Sequence, residues 1–483
     1  VWATFPPTAQ AVIVALAAEV AALRAANAAL AAEVGELKAR LGQTSANSSR
    51  PPSSDPLQVQ RRVPPASGRA RGGQPGHVAH QRALVPPAVP PARVDRIVDH
   101  RPTRCARCAR ALPVPSLPGL GDDFVAHQVT ELPPLRAEVT EHRRHRVVCP
   151  DCGAHTRATL PPEVPTGAFG PRLQATVAVL SGRYRLSRRE VADVEVADVC
   201  ATVLDAPLCV GSVDALCQAT ADVLAAPVAE AGATLPHAEV ANADETGWRQ
   251  AGQARWLWTV VTPLVTVFVI AASRGSQVIK GLLGTAFAGT LASDRWSAYS
   301  WLDVAYRQLC WAHLQRDFQA LVDRGGAAAP IGTAALTHIR DLFRLWHQFR
   351  DGTLHRPALH RAMQPVQDAF GRVLDDGQAS PDPKAAGLCR ALDRRWPALW
   401  TFVDEAGVEP TNNAAERALR PAVLWRKGSC GTQSDGGAHF VERLLTVAAT
   451  CKQQGRSVLD YLTAVCTAAQ LGHPIPSLLP VMP

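Results

Sequence analysis

The sequence predicts a multidomain α/β protein. Three observations carry that expectation: a leucine heptad near the N-terminus, two paired cysteine knuckles, and a later run of short β-patterned segments that end on acids. The 483 residues suit several domains rather than one, and 47% hydrophobic against 19% charged residues is enough apolar matter for real cores. A wholly disordered chain is excluded. The longest unbroken apolar run, Leu264 to Ala272 with only Thr266 inside it, is far too short to span a membrane. The N-terminal apolar stretch holds Glu19 and Arg24 and does not read as a secretory signal, so a soluble, intracellular protein is expected.

Residues 1–42 read as a coiled-coil helix. Leu16, Leu23, Leu30 and Leu37 repeat every seven residues, and Ile13, Val20, Asn27, Val34 and Leu41 interleave four later. Leucine at d with β-branched residues and one Asn at a favours a parallel two-stranded coiled coil, hence a homodimer or larger assembly. The alternative is an amphipathic helix packed within its own chain. Residues 43–98 are a flexible tether, QTSANSSRPPSSDP, running into a Gly-, Pro- and Arg-rich arm that includes Arg69 and Arg71.

The formal net charge is +8, from 50 Lys plus Arg and 42 Asp plus Glu. It is concentrated: residues 61–110 hold eleven Arg against Asp95 and Asp99, a net of +9, so the other 433 residues sum to about −1. A confined basic segment is the electrostatic footprint of a polyanion binder, nucleic acid above all. A solvated basic linker is the plainer alternative.

Residues 99–155 form the next unit, a zinc ribbon-like module. Cys105-Ala-Arg-Cys108 and Cys149-Pro-Asp-Cys152 are two knuckles, and four soft thiolates suit tetrahedral, structural Zn²⁺. A redox pair is the alternative. Twelve cysteines without a secretory signal argue against a disulfide scaffold. Between the knuckles, HQVTELP and AEVTEHRRHRVV alternate as strands do. Residues 156–232 are helical. Ser187 is a candidate N-cap for a helix through Val199, and a second helix is expected from Ser212 through Leu224. With Arg183, Arg185, Arg188 and Arg189 at one end, the pair is a candidate helix-turn-helix, although helical pairs of this size also occur without DNA.

Residues 233–445 change to α/β texture. His237 to Ala243 alternates toward Asp244. ARWLWTVVT and LVTVFVIAA, split by Pro263, read as a hairpin. A helix over 277–283, a strand over 289–293 ending on Asp294, and a strand over 306–310 leading to Trp311-Ala312-His313 follow. Acids at the ends of the first and fourth strands are what a ribonuclease-H-like core needs to share divalent cations, with a third acid from a later helix. One strand-end Asp alone is more often a turn residue. Residues 325–405 read as a helical insertion. Beyond it, Asn412 or Asn413 caps a helix with Glu416 in its first turn, and Arg417, Arg420, Arg426 and Lys427 lie nearby as phosphate ligands. Asp404, Glu405 and Glu409 compete with Glu416 as the third acid. Residues 446–483 close the chain as a short helical tail.

ADETGWR (243–249), SDRWSAY (293–299), CWAH (310–313) and PTNNAAERALRP (410–421) together resemble the DDE transposases of the insertion sequence 66 family. The resemblance covers nearly the whole chain, from the heptad helix, the tether, RGGQPGH and the two knuckles to the tail. It implies a core that cuts and joins DNA at element ends with two Mg²⁺ ions (or Mn²⁺) held by Asp244, Asp294 and Glu416. His313 and Arg316 match a motif of the same family and assist at the site. The implied partners are element ends, target DNA and accessory proteins, in a bacterial cytoplasm beside the nucleoid, with no membrane. Two departures stand out: CARCARAL lacks a glycine-rich turn after its knuckle, and Gly428-Ser-Cys-Gly431 replaces a more Asn-rich stretch. Two other functions fit parts of the sequence. One is a non-enzymatic zinc and coiled-coil DNA-binding regulator, which has no need of three acids; the other is a structure-specific nuclease on the same core.

Overall fold

The computed structural model describes residues 2, 6–44, 47, 84, 94–98, 100, 102–112, 126–165, 167–187 and 195–480. Two compact units divide the chain, residues 60–136 and the remainder. Arg69, Arg71, Arg188 and Arg189 and most of the tether and basic arm lie outside the described residues.

Helix α1 spans Pro7–Leu41. Its heptad residues Ile13, Leu16, Val20, Leu23, Leu30, Val34, Leu37 and Leu41 are all exposed, so packing within the described chain does not cover the seam. By length and composition alone the helix is also apolar enough to cross a membrane, with a mean hydropathy of 1.6 over Pro7–Gly35. A search for unbroken apolar runs overlooks this, because Glu19 and Arg24 interrupt the stretch.

In the knuckle region, β1 (Arg146–Val148) pairs antiparallel with β2 (His155–Arg157). The alternating segment at 126–145 forms no strand. Alternation supplies side-chain faces, but among the described residues no strand pairs with this segment, and Val129, Leu132, Leu135 and Val139 remain exposed.

Helices α2 (Pro171–Ala178), α3 (Val196–Leu204), α4 (Val210–Val223) and α5 (Ala225–Ala233) follow, α2 running into a π-turn over Val179–Arg183. The described helix through Val199 starts at Val196 after Glu195 rather than after Ser187, which makes a β-bridge to Glu195; residues 188–194 lie outside the described residues. Fully buried Val196 and Cys200 set the helix phase. α4 begins before the expected Ser212, capped by the Cys209 sulfur, which accepts from the Ser212 N–H.

The sheet comprises β3 (Val240–Gln250), β4 (Gln253–Val261), β5 (Thr266–Ala271), β6 (Thr290–Ser293) and β7 (Arg307–Leu309), in the order β5-β4-β3-β6-β7. β3, β4 and β5 are antiparallel, whereas β6 and β7 run parallel to β3. Ala251 and Gly252, both at positive φ, make the two-residue turn that pairs Gln250 with Gln253. Helix α6 (Ser276–Leu283) crosses between β5 and β6.

Both sheet edges are covered, removing the pairing hazard of open edges. On β5, the N–H groups of Thr266, Phe268 and Ile270 donate to Thr450, Thr446 and Glu442 of α13 (Asp435–Gln453). Four helical residues advance about 6 Å and two strand residues about 7 Å, so the two ladders stay in step. On β7, Gln308 accepts from the Phe402 N–H, and the Thr401 hydroxyl donates to the Arg307 carbonyl.

Those β7 partners lie in the helical insertion: α7 (Trp311–Arg324), α8 (Ala328–Arg350), α9 (Arg356–Gln378), α10 (Pro383–Asp393) and α11 (Pro397–Asp404). It has its own core around Trp311, Phe318, Phe370, Trp400 and Phe402. α12 (Asn413–Ser429) returns to the sheet. α14 (Val458–Leu471) is no loose tail, since Leu462, Val465 and Cys466 are buried in one core with α2, α4 and the sheet.

Candidate active site

Asp244 lies within β3 rather than at its end, because β3 continues to Gln250 as the partner of β4. Its parallel pairing with β6 does stop at Asn242, so Asp244 sits where β3 and β6 part. Asp294 follows the last residue of β6, its Oδ1 accepting from the Trp296 N–H at 2.8 Å. Glu416 stands in the first turn of α12.

The three acids share one desolvated cleft. The Asp244 carboxyl is pushed well above the usual carboxylate range, first by desolvation, then by Glu245, Asp294 and Glu416. Desolvation foremost also raises Asp294, against the pull of the Trp296 N–H and of Arg274, Arg295 and Arg307. Glu416 is raised by desolvation, partly offset by Arg316. Such crowding of carboxylates in low dielectric favours their neutral forms unless cations compensate.

His313 and Arg316, one turn apart on α7, both approach Glu416, with His313 Nδ1 and Arg316 Nη2 each 3.5 Å from its Oε1. The histidine contact is not an ion pair. Burial, then Arg316 and Arg295, hold its pKa down to about 3, leaving the imidazole neutral.

Asn412 fixes α12 against the sheet. It is fully buried; its side-chain N–H donates to the Ala243 carbonyl at 2.8 Å and its backbone N–H to the Cys310 sulfur at 3.2 Å. It stands at the N-cap position, but its side chain does not cap the helix. The Asn412-Asn413 doublet in the sequence signals a cap; the longer reach to β3 depends on tertiary contacts no local pattern contains.

A second buried cluster lies on the opposite face of β3. Glu245 accepts from the Tyr299 hydroxyl at 2.5 Å and pairs with Arg274 at 2.8 Å. Arg274 in turn lies over the rings of Trp256 and Trp296. The DE doublet at 244–245 and the Tyr of SDRWSAY were the available sequence signals.

The candidate phosphate ligands of α12 separate. Arg417, Arg420 and Lys427 are exposed, and helical geometry puts them within about 100° of arc beside Glu416. Arg426 faces elsewhere and donates to the Gly247 carbonyl and the Thr246 hydroxyl of β3, so its guanidinium is occupied in holding α12 to the sheet.

Could metals bind here? Four buried polar atoms of the cleft lack a hydrogen-bond partner: His313 Nδ1, Arg316 Nε, Asn412 Oδ1 and Glu416 Oε1. Among the described residues, the potential ligand atoms that come within 4.8 Å of one another belong to Cys310, His313 and Glu416, not to the three acids together. Cys310 is a poor donor, because burial pushes its thiol up to about 11 and its sulfur already accepts from Asn412. The hard oxygens of Asp244, Asp294 and Glu416 suit Mg²⁺.

Each knuckle, taken by itself, adopts the same turn. Cys105 N–H donates to the Arg110 carbonyl and Ala109 N–H to the Cys105 carbonyl, both at 2.9 Å. Cys149 N–H donates to Ala154, and Gly153 N–H to Cys149, at 2.8 and 3.0 Å. Gly153 has φ +68°, and Ala109 adopts the equivalent φ +55° despite its Cβ. Backbone N–H groups of Cys108 and Arg107 lower the Cys105 thiol, as those of Cys152 and Asp151 lower Cys149. Lowered thiols on tight turns fit zinc.

Residues 189–440, more than half of the chain, match the model of the Transposase IS66 family. The chain belongs to that family. Residues 102–153 of this IS66-family protein match the zinc-finger binding domain of transposase IS66, which supports Zn²⁺ binding and a DNA partner. Residues 4–83 match a family of unknown function. Two proteins of Sinorhizobium fredii (strain NBRC 101917 / NGR234) are similar. Uncharacterized protein y4hP is 26% identical over 425 residues, covering 80% of this chain and 74% of its own. Uncharacterized protein y4qI is 29% identical over 256 residues, covering 47% and 46%. The family membership supports a transposase role, hence a DNA-processing enzyme.

Proposed function

We propose that this IS66-family protein binds the terminal inverted repeats of an insertion sequence and catalyses metal-dependent strand cleavage and strand transfer. The observation that carries the reading is the convergence of Asp244, Asp294 and Glu416, from three separate elements, in one cleft where desolvation raises all three and repulsion from neighbouring carboxylates adds to the rise of Asp244 and Glu416. The sheet order, with three antiparallel strands followed by two parallel ones, supports a ribonuclease-H-like core.

Asp244, Asp294 and Glu416 would hold two Mg²⁺ ions, which, when bound, activate the attacking oxygen and stabilise the leaving one. The chain's own residues prepare the cleft. Asn412 holds the first turn of α12 against β3, which orients Glu416 toward Asp244. Arg316 balances part of the Glu416 charge, and neutral His313 adds no repulsion toward an incoming cation. Exposed Arg417, Arg420 and Lys427 steer DNA phosphates along α12. The two knuckles would join in one structural zinc site that supports recognition of element ends, and exposed α1 would pair with a second copy in parallel.

Strand cleavage and joining by the purified protein on its element ends, with and without magnesium, tests the proposal. Asp244→Ala is expected to abolish both reactions; a variant that cleaves as fast as the parent overturns the assignment. DNA binding with no magnesium or manganese affinity in the α/β region favours the regulator. Cleavage without joining favours the nuclease.

A further inference from the structure

A cavity of about 240 Å³ lies where the insertion meets the sheet, lined by Ser300, Leu302, Val304, Arg307, Arg394 and Arg395. Arg307 comes from β7; Arg394 and Arg395 come from the link between α10 and α11.

The three arginines around this cavity have no ion-pair partner among the described residues. Arg307 is 2% exposed and its Nε has no hydrogen-bond partner. Its Nη2 donates at 3.3 Å to the Ser293 hydroxyl and the Asp294 carbonyl, neutral acceptors both. Among the described residues Arg395 donates to the Ala391 carbonyl of α10, a neutral acceptor, and Arg394 is exposed. Among the described residues, no acid comes within 4.0 Å of any of the three guanidinium groups. Burial and the neighbouring Arg395 push Arg307 down to about 10, with Asp294 opposing only in part. Arg395 is likewise lowered by burial, then by Arg295 and Arg394. Arg295 adds to the crowding, and the carboxylate it holds, Asp317, is engaged by both its Nε and its Nη2. A buried cation is ordinarily paired, so buried Arg307 with an unpartnered Nε, facing one cavity with part-buried Arg395 and exposed Arg394 and no carboxylate within 4.0 Å among the described residues, describes an anion's place rather than a salt-bridge network.

We propose that this cavity binds one backbone phosphate of a DNA strand, so that Arg307, Arg394 and Arg395 together anchor the strand beside the Asp294 side of the cleft. The assignment to DNA rests on the DNA-processing reading above. Arg307 reaches from the cavity to the backbone of Asp294, so a phosphate held there belongs to the strand that also crosses the three acids. The insertion would then contribute directly to substrate binding through its α10–α11 link.

The test compares the full chain with Arg394→Gln/Arg395→Gln and with Arg394→Ala/Arg395→Ala. Binding to a labelled 30-base-pair duplex is followed by fluorescence anisotropy from about 50 to 300 mM salt, without added magnesium. The slope of log K against log salt is expected to shrink by about one for each phosphate that the variant no longer neutralises, with affinity falling at every salt concentration. In parallel, inorganic phosphate is expected to raise the melting temperature of the parent and not of either variant. At low salt without phosphate, both variants are expected to melt no lower than the parent, since they relieve crowding around Arg307. A markedly lower melting temperature in both means that the arginines serve folding, and overturns the proposal. Superimposable DNA isotherms overturn it too; if only the phosphate effect is lost, the site takes a free anion instead of a strand. A parent that binds DNA with the predicted slope difference but never cuts it sinks the transposase chemistry and leaves the phosphate site standing.

Discussion

The Asn412 side chain donates to the Ala243 carbonyl at 2.8 Å, across 169 residues of sequence. This one bond ties the start of α12 to the residue preceding Asp244, and so sets the separation of the first and third acids. Asn412→Ala removes it and unpins the backbone N–H that reaches Cys310. The loss is expected to cost about 1–3 kcal/mol. Its functional mark is a higher magnesium concentration for half-maximal cleavage, with DNA affinity unchanged. A drop in rate at unchanged magnesium dependence would mean Asn412 matters only for folding.

The acid cluster predicts an unusual pH dependence of stability. Asp244, Asp294 and Glu416 all have raised folded pKa values, so between the ordinary carboxylate range and those raised values the native state binds more protons than the unfolded one. Stability from these groups is therefore lost as pH rises through that window. Asp244→Asn keeps an acceptor for the Glu245 N–H and removes the most strongly raised carboxyl. In metal-free protein at neutral pH it is expected to raise the melting temperature by on the order of a degree or more while abolishing cleavage. Magnesium should stabilise the parent more than this variant.

His313 acts in the other direction. With its folded pKa held near 3, against an ordinary 6.5, the unfolded chain takes up a proton that the native imidazole refuses as pH falls from 6.5 toward 3. Stability falls on acidification over that range, and His313→Gln should flatten the decline. In NMR spectra the His313 ring should keep its neutral shifts throughout pH 5–8. An inflection near 6.5 would show an imidazole open to solvent.

Ala109 occupies a backbone region that disfavours a Cβ, whereas the second knuckle uses Gly153 there. Ala109→Gly is expected to stabilise the first knuckle by about 0.5–1 kcal/mol, read as tighter zinc retention in competition with a chelating dye. Cys105→Ser or Cys149→Ser should lose the metal outright.

Helix α1 carries Glu19 and Arg24, and Glu33 and Lys38, each pair five residues apart at g and e of successive heptads. In a parallel, in-register pair these become interchain opposite charges. Sedimentation velocity should find the parent dimeric or larger, and Leu23→Asp/Leu30→Asp reduced to monomer. Equal sedimentation would show that α1 does not hold the copies together.

How much of the fold and site was readable depends on how local the cause is. Alternation in ARWLWTVVT and LVTVFVIAA becomes β4 and β5 because each finds an adjacent partner within a few residues. The alternating run at 126–145 makes no strand, and among the described residues no strand pairs with it. The helix expected after Ser187 begins, among the described residues, at Val196, where fully buried Val196 and Cys200 face the core. Asp244, Asp294 and Glu416 could be chosen from motif and order. The bonds that arrange them could not: the partners of Asn412, Glu245 and Arg426 lie 169, 54 and 179 residues away.

The base of the insertion is narrow. The Trp311 N–H donates to the Pro410 carbonyl at 2.9 Å, and the Asn412 N–H to the Cys310 sulfur. The chain thus leaves the sheet and comes back at a single doorway. The helices between, α8, α9 and α10, could be lengthened, trimmed or exchanged, provided that α7 keeps His313 and Arg316 at Glu416 and α11 keeps its bonds to β7. A lineage can therefore refashion how it grips DNA while leaving the geometry of its chemistry untouched.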